Sequence, residues 1–261
     1  MNFSFCSKTD PGRARENNED SVVFDAEVNL AVLADGMGGY NAGEIASGMA
    51  TAFIKSEMSR WLVEAGRSAT NKEIRRAMEI CVENANRSIY NSANSNAQYA
   101  GMGTTLVLAA FVNDKVLLGH IGDSRCYRLR EGRLEQITRD HSLLQEQIDA
   151  GLLTAEQAAG SSYKNLVTRA LGVDEFVSLD LNEYDVLPGD LYLMCSDGLS
   201  DMVADAEIEQ ILQEQANMEL QAGQLVAVAN EHGGRDNISV LLAQASADKG
   251  RRGLISRLLN K

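Results

Sequence analysis

The chain has 261 residues, 44% of them hydrophobic, which suffices to close a core as a single domain. A formal net charge of -13 repels nucleic-acid backbones and anionic membranes, and neither a run of about 18 apolar residues nor a basic-then-apolar leader occurs. These features point to a cytoplasmic protein without nucleic acid as a partner and without stable membrane insertion. The four cysteines, Cys6, Cys81, Cys126 and Cys195, form no CxxC pair and read as buried reduced thiols rather than a zinc or redox site.

In chain order, apolar or alternating runs rich in branched residues predict strands over Ser21–Phe24 and Leu30–Ala34. Two long helical patterns follow, one through Ile45, Met49, Phe53, Met58 and Trp61, the other through Ile74, Met78, Cys81, Ala85 and Ile89. Strands return at Thr104–Val112, Val116–Ile121 and Cys126–Leu129, then at Leu191–Cys195 and Ile238–Ala243. Shorter helices are expected near Leu143–Ile148, Glu207–Gln213 and Leu220–Asn230. Runs of strands interrupted by paired helices favour an α+β fold of antiparallel sheets covered by helices over a doubly wound parallel sheet. Residues 247–261 carry five Lys or Arg against one Asp, so the expected division is a domain over 1–246 and a basic tail over 247–261. In that tail Leu254, Ile255, Leu258 and Leu259 lie among the cations; a solvated tail is preferred to an amphipathic helix docked on the body, an acidic partner or lipid.

The chemistry-bearing feature is a set of aspartates at strand ends, each beside turn residues: Asp35 in Ala34-Asp35-Gly36-Met37-Gly38-Gly39, Asp123 in Gly122-Asp123-Ser124-Arg125, Asp197 in Ser196-Asp197-Gly198, and Asp236 in Gly234-Arg235-Asp236-Asn237. Any one Asp-Gly reads first as a turn. Together with Glu19-Asp20 they read as a polynuclear metal site, and oxygen donors without His or Cys favour Mg²⁺ or Mn²⁺ over zinc. Cys81 and Arg87 satisfy the C-x5-R spacing of cysteine-based phosphatases, but the segment lacks glycine and falls on a helix stripe, so Cys81 reads as core. His120, His141 and His232 have no carboxylate partner that spacing reveals.

These motifs, with Thr9-Asp10-Pro11-Gly12-Arg13-Ala14-Arg15-Glu16-Asn17-Asn18-Glu19-Asp20, Gly103-Thr104-Thr105, Ser196-Asp197-Gly198-Leu199-Ser200-Asp201 and Gly234-Arg235-Asp236-Asn237-Ile238-Ser239, resemble in order the metal-dependent protein phosphatases of type 2C in their short bacterial form. The resemblance covers roughly residues 3–245. It implies a four-layer α/β/β/α sandwich of two antiparallel sheets flanked by paired helices, and hydrolysis of phosphoserine and phosphothreonine in phosphorylated proteins. By that resemblance Asp35, Asp197 and Asp236 hold one Mg²⁺ or Mn²⁺, while Asp35 and the Gly36 carbonyl, supported by Asp20, hold a second. Asp123 and Asp201 match a weaker third site, Arg15 matches the arginine that grips phosphate, and Glu19 is a supporting neighbour. The implied mechanism is direct attack by a metal-bridging hydroxide, the implied partners a bacterial serine/threonine kinase and its substrates, and the expected state a monomer.

Residues from about Asp140 to Gly172 stand where the family has its flap. Animal members carry a histidine, proposed as the general acid, at the Met37 position; a thioether cannot donate a proton, so Met37 leaves that acid unassigned. Two competing functions are a hydrolase of small phosphate esters with the same chemistry, and a silent phosphoprotein-binding module. The second should lack metal aspartates, and here the matched positions are filled.

Overall fold

The computed structural model describes residues 1–38, 42–154, 157 and 166–247; Gly39, the Gly160-Ser161-Ser162 stretch of the expected flap and residues 248–261 of the expected tail lie outside them. The strands are β1 (Asn2–Asp10), β2 (Asp20–Asp25), β3 (Leu30–Met37), β4 (Gly103–Thr104), β5 (Leu106–Val112), β6 (Lys115–Ile121), β7 (Arg125–Arg130), β8 (Arg133–Gln136), β9 (Asp180–Asp185), β10 (Leu191–Cys195) and β11 (Ile238–Ser246). They pair antiparallel into one sheet ordered β1-β11-β10-β7-β8 and another ordered β2-β3-β5-β6-β9, with β4 against β3.

The helices are α1 (Ala42–Ala65), α2 (Asn71–Ser95), α3 (Leu143–Asp149), the short α4 (Asp197–Ser200), α5 (Asp205–Glu214) and α6 (Met218–Glu231). Leu33, Val107, Phe111, Tyr192 and Leu241 fill the space between the sheets. The outer face of one sheet (Leu30, Val32, Leu108, Leu117) packs on Ile54, Met78 and Ile89 of α1 and α2. The outer face of the other (Leu193, Val240, Leu242) packs on Ile208, Leu225 and Ala229 of α5 and α6. Strands with apolar residues on both faces are the sequence consequence of this arrangement, which is the expected α/β/β/α sandwich.

Three strands escape the pattern reading. β1, β8 and β9 are sheet edges whose outer residues meet water, so their polar residues mask the period of two. The β7–β8 hairpin turns on Glu131 and Gly132, both at positive φ (51° and 77°), a type I′ geometry built here without the usual Asn-Gly pair. The face of α1 also differs from expectation. Small residues, Ala42, Ala46 and Ala50, meet the sheet, while Ile45, Met49, Phe53 and Trp61 are only half-buried at its flank. Among the cysteines, Cys81, Cys126 and Cys195 are buried free thiols as expected, but Cys6 on the edge strand is only half-buried.

Candidate metal centre

The acidic strand ends meet at one end of the sandwich. Asp20 opens β2 and stands directly across from Asp35 near the end of β3. From the other sheet, β10 runs out at Cys195 into Ser196 and Asp197, and β11 begins at Ile238 just after Asp236 and Asn237. Asp123 lies in the turn between β6 and β7.

Close backbone approach makes this convergence possible. A Cβ on Gly36 would stand 2.2 Å from the Gly43 carbonyl oxygen of α1, and one on Gly198 would stand 2.0 Å from that of Asn237. Only glycine lets these chains touch behind the carboxylates.

Asp35 is held by its backbone: its N–H donates to Thr105 Oγ1 (3.0 Å), and its carbonyl accepts from Thr105 N (2.9 Å) and Thr104 Oγ1 (2.8 Å). Ser196 Oγ donates to Asp20 Oδ2 (2.8 Å) while accepting from Ser239 N (3.0 Å), tying Asp20 to the opposite sheet. Asn237 locks the loop that carries Arg15 and Glu19. Its amide donates to the carbonyls of Pro11 (3.0 Å) and Asn17 (2.9 Å), and its Oδ1 accepts from Glu19 N (2.8 Å). Arg15, with its side chain 52% exposed, donates to Asp236 Oδ2 at 2.8 Å, so it sits at the rim facing both the cluster and solvent. Asp201 follows Asp197 by one turn, its N–H on the Asp197 carbonyl at 2.8 Å.

The electrostatics show how closely the acids crowd. Burial first, then Asp20, Asp197, Asp123 and Asp236, hold the Asp35 carboxyl well above its ordinary range. Asp197 is raised by burial and then by Asp123, Asp236 and Asp201. Burial pushes Asp20 up to about 7 against the hydrogen bonds from Ser239 and Ser196, and burial with Asp140 and Asp201 pushes Asp123 up to about 6. Glu19 is raised by burial and lowered by Arg15. Carboxylates crowded this way want cations.

The donor set fits hard cations. It is all oxygen, and Asp20 Oδ1 is buried with no hydrogen-bond partner, an acceptor left open towards the cluster. Among the described residues no three His, Cys, Asp or Glu side chains already stand in ligating geometry, so ions would have to draw these carboxylates inward. The thiol route is closed: burial raises Cys81 to about 12, and Arg87 faces Glu83 at 3.6 Å on the surface of α2.

The family model described as protein phosphatase 2C matches residues 12–231. The chain belongs to the protein phosphatase 2C family. Among its relatives, the serine/threonine phosphatase stp of Listeria monocytogenes is 38% identical over 94% of this chain and 97% of that protein. The solved structure of the Mycobacterium tuberculosis serine/threonine phosphatase PstP/Ppp superposes with a TM-score of 0.85 at 35% identity, covering 95% of this chain and all of that one (100%). A catalytic domain of PstP solved in complex with two manganese ions has a TM-score of 0.81 at 36% identity, over 94% and 99% of the two chains.

In this phosphatase 2C chain the structure gathers Arg15, Glu19, Asp20, Asp35, Gly36, Asp123, Asp197, Asp201 and Asp236 around one end of the sandwich. Sequence reasoning missed the residues that hold them. Thr105, Ser196 and Asn237 act across separations no spacing rule spans, although Ser196 and Asn237 adjoin aspartates in the sequence. It also missed a carboxylate partner for His141: Asp180, with Oδ2 at 3.0 Å from Nε2. The two lie 39 residues apart, joined only by the fold.

Proposed function

We propose that this chain removes phosphate from phosphoserine and phosphothreonine in other proteins, with Mg²⁺ or Mn²⁺ resident at the acidic centre. The observation that carries the reading is the convergence of Asp20, Asp35, Asp123, Asp197 and Asp236 from both sheets, with the buried Asp20 Oδ1 left unpartnered. The manganese-bearing relative supports the cofactor assignment.

Asp35, Asp197 and Asp236 would hold one ion, Asp35 with the Gly36 carbonyl and Asp20 a second, and Asp123 with Asp201 a weaker third. Such cations, when bound, would supply Lewis-acid activation of water for attack on phosphorus, so that no protein nucleophile is required. Arg15 leaves Asp236 to grip the non-bridging phosphate oxygens, a task suited to its planar, permanently charged fork. Asp20, fixed by Ser196, orients solvent in the cluster. Glu19, beside the start of α1, supports the loop that carries Arg15.

The substrate ester must be made by a serine/threonine kinase, so a kinase of the same cell is the opposing activity. No helix among the described residues is long and apolar enough to cross a membrane. Action in the cytoplasm as a monomer belongs to the same proposal. Residues 1–246 form the catalytic domain in this reading, and 247–261 a basic tail outside the chemistry.

The test compares a phosphothreonine peptide with p-nitrophenyl phosphate and free phosphothreonine, with Mn²⁺ and with chelator. The expected result is metal-dependent turnover, reversibly lost on chelation and with higher kcat/KM on the peptide than on free phosphothreonine. Turnover that survives chelation, or a preference for the free amino acid, would overturn the proposal.

A further inference from the structure

Asp123 sits in a turn of which both flanks are gripped by two consecutive residues at the base of the flap. On one side, Arg125 donates to Asp140 through Nε (3.0 Å) and Nη2 (2.7 Å). On the other, Gly122 N–H donates to His141 Nδ1 at 3.1 Å, and His141 N–H donates to the Gly122 carbonyl at 2.8 Å. The His141 carbonyl in turn accepts from Thr168 N at 2.8 Å, and Ser142 bridges Val167. Both ends of the flap therefore close on His141.

The ring itself has no freedom left. Because Nδ1 accepts the Gly122 N–H it carries no proton, so Nε2 does and donates to Asp180 Oδ2 at 3.0 Å, with Arg169 Nη1 also 3.2 Å from Nε2. Asp180 is steadied by Arg169, whose Nη1 donates to Oδ1 at 2.7 Å. The His120 ring packs on His141 with centroids 4.6 Å apart, and His141 is 8% exposed. Both nitrogens are committed and the ring is shut from solvent, so it cannot supply a proton to a departing serine oxygen.

We propose that His141, oriented by Asp180 and Arg169, is a positioning residue that holds the Asp123 turn and fastens it to both ends of the flap. This rests on reading Asp123 as a ligand of the weakest ion. The pattern is that of a histidine whose two nitrogens are spent on holding a ligand-bearing backbone and on an orienting carboxylate, and loss of such support costs about 10–100-fold in metal affinity.

The test uses the full chain with His141→Ala, His141→Asn and Asp180→Asn. An asparagine amide oxygen reaches the place of Nδ1 and restores the acceptor for Gly122 N–H without restoring the link to Asp180. Hydrogen exchange of the Gly122–Arg125 amides is read in chelator, and Mn²⁺ binding is followed by paramagnetic resonance of the free ion. In His141→Ala these amides should exchange at least about 10-fold faster and the weakest Mn²⁺ class should weaken by about 10-fold, the tighter classes remaining. His141→Asn should recover most of both, and Asp180→Asn, on the edge strand and 49% exposed, should show the same changes in smaller measure should the alanine variant fail to fold. Unchanged exchange in His141→Ala, or in Asp180→Asn when only that variant folds, overturns the proposal. So does unchanged exchange with a steeper dependence of kcat on leaving-group pKa, which would make His141 the proton donor. A wild type that binds no Mn²⁺ would refute the metal reading, while the exchange arm would still judge His141.

Discussion

Two carboxylates directly across a strand pair repel, and Asp20 opposite Asp35 places that conflict at the centre of the molecule. Asp20, Asp35, Asp123 and Asp197 all titrate higher in the folded chain than unfolded, chiefly through burial. The folded state therefore holds more protons than the unfolded between about pH 4 and 7, and metal-free stability should fall as pH rises through that window. Calorimetry in chelator should find Tm higher at pH 5.5 than at 7.5, by on the order of 5 °C, with Mn²⁺ abolishing the trend. The opposite slope would mean that the cluster is not under charge strain. Asp35→Asn and Asp197→Asn should each raise metal-free Tm while lowering kcat by about two orders of magnitude or more. Met37 lies against Gly103 near the cluster, where a Cβ on that glycine would stand 3.6 Å from Met37 Cγ, and its thioether offers no proton. A series of aryl phosphates should then show kcat falling steeply as leaving-group pKa rises where chemistry limits the rate, and Met37→His should flatten the slope. A flat wild-type series would mean that another donor exists. At this scale the clustered aspartates were legible because each stands at the end of a strand beside turn residues. The residues that orient them were not, since Ser196 to Asp20 and His141 to Asp180 are contacts made only by folding.

Among the elements, α1 explains why a glycine follows Asp35 near the end of β3. The small face of Ala42, Gly43, Ala46 and Ala50 lets the helix settle on the strand, and its first turn touches the Gly36 backbone. Gly36→Ala and Gly198→Ala each drive a methyl into a carbonyl oxygen, at 2.2 and 2.0 Å. Each should cost about 1–3 kcal/mol in urea denaturation with chelator present, and each should also weaken Mn²⁺ binding by separating the strand ends. A neutral effect on both would show that the sheets do not need this approach. The doubly buried strands and α2, with its Thr70–Glu73 capping box, could be read from pattern alone. The face of α1 could not, because alanines facing a sheet carry less apolar signal than the large residues beside them.

Over the whole molecule, antiparallel sheets stacked face to face bring the ends of β2, β3, β6, β10 and β11 to one edge, so five short acidic motifs far apart in sequence become one centre. The order of strands and paired helices already favoured antiparallel sheets covered by helices and the family resemblance implied their stacking as a sandwich, while which edge gathers the motifs is decided by topology. The family match spans residues 12–231 and β11 ends at Ser246, both before the basic tail. Deleting 247–261 should leave kcat on a phosphothreonine peptide within about two-fold, and a large fall would place the tail within the catalytic fold. In the proposed centre Asp35 is the carboxylate shared by two ions. Calorimetric titration of Mn²⁺ into metal-free wild type and Asp35→Asn tests that most directly. The expected result is two tight ions per wild-type chain, with both lost or weakened together in Asp35→Asn; a variant that loses only one ion, or binds both undiminished, would contradict it.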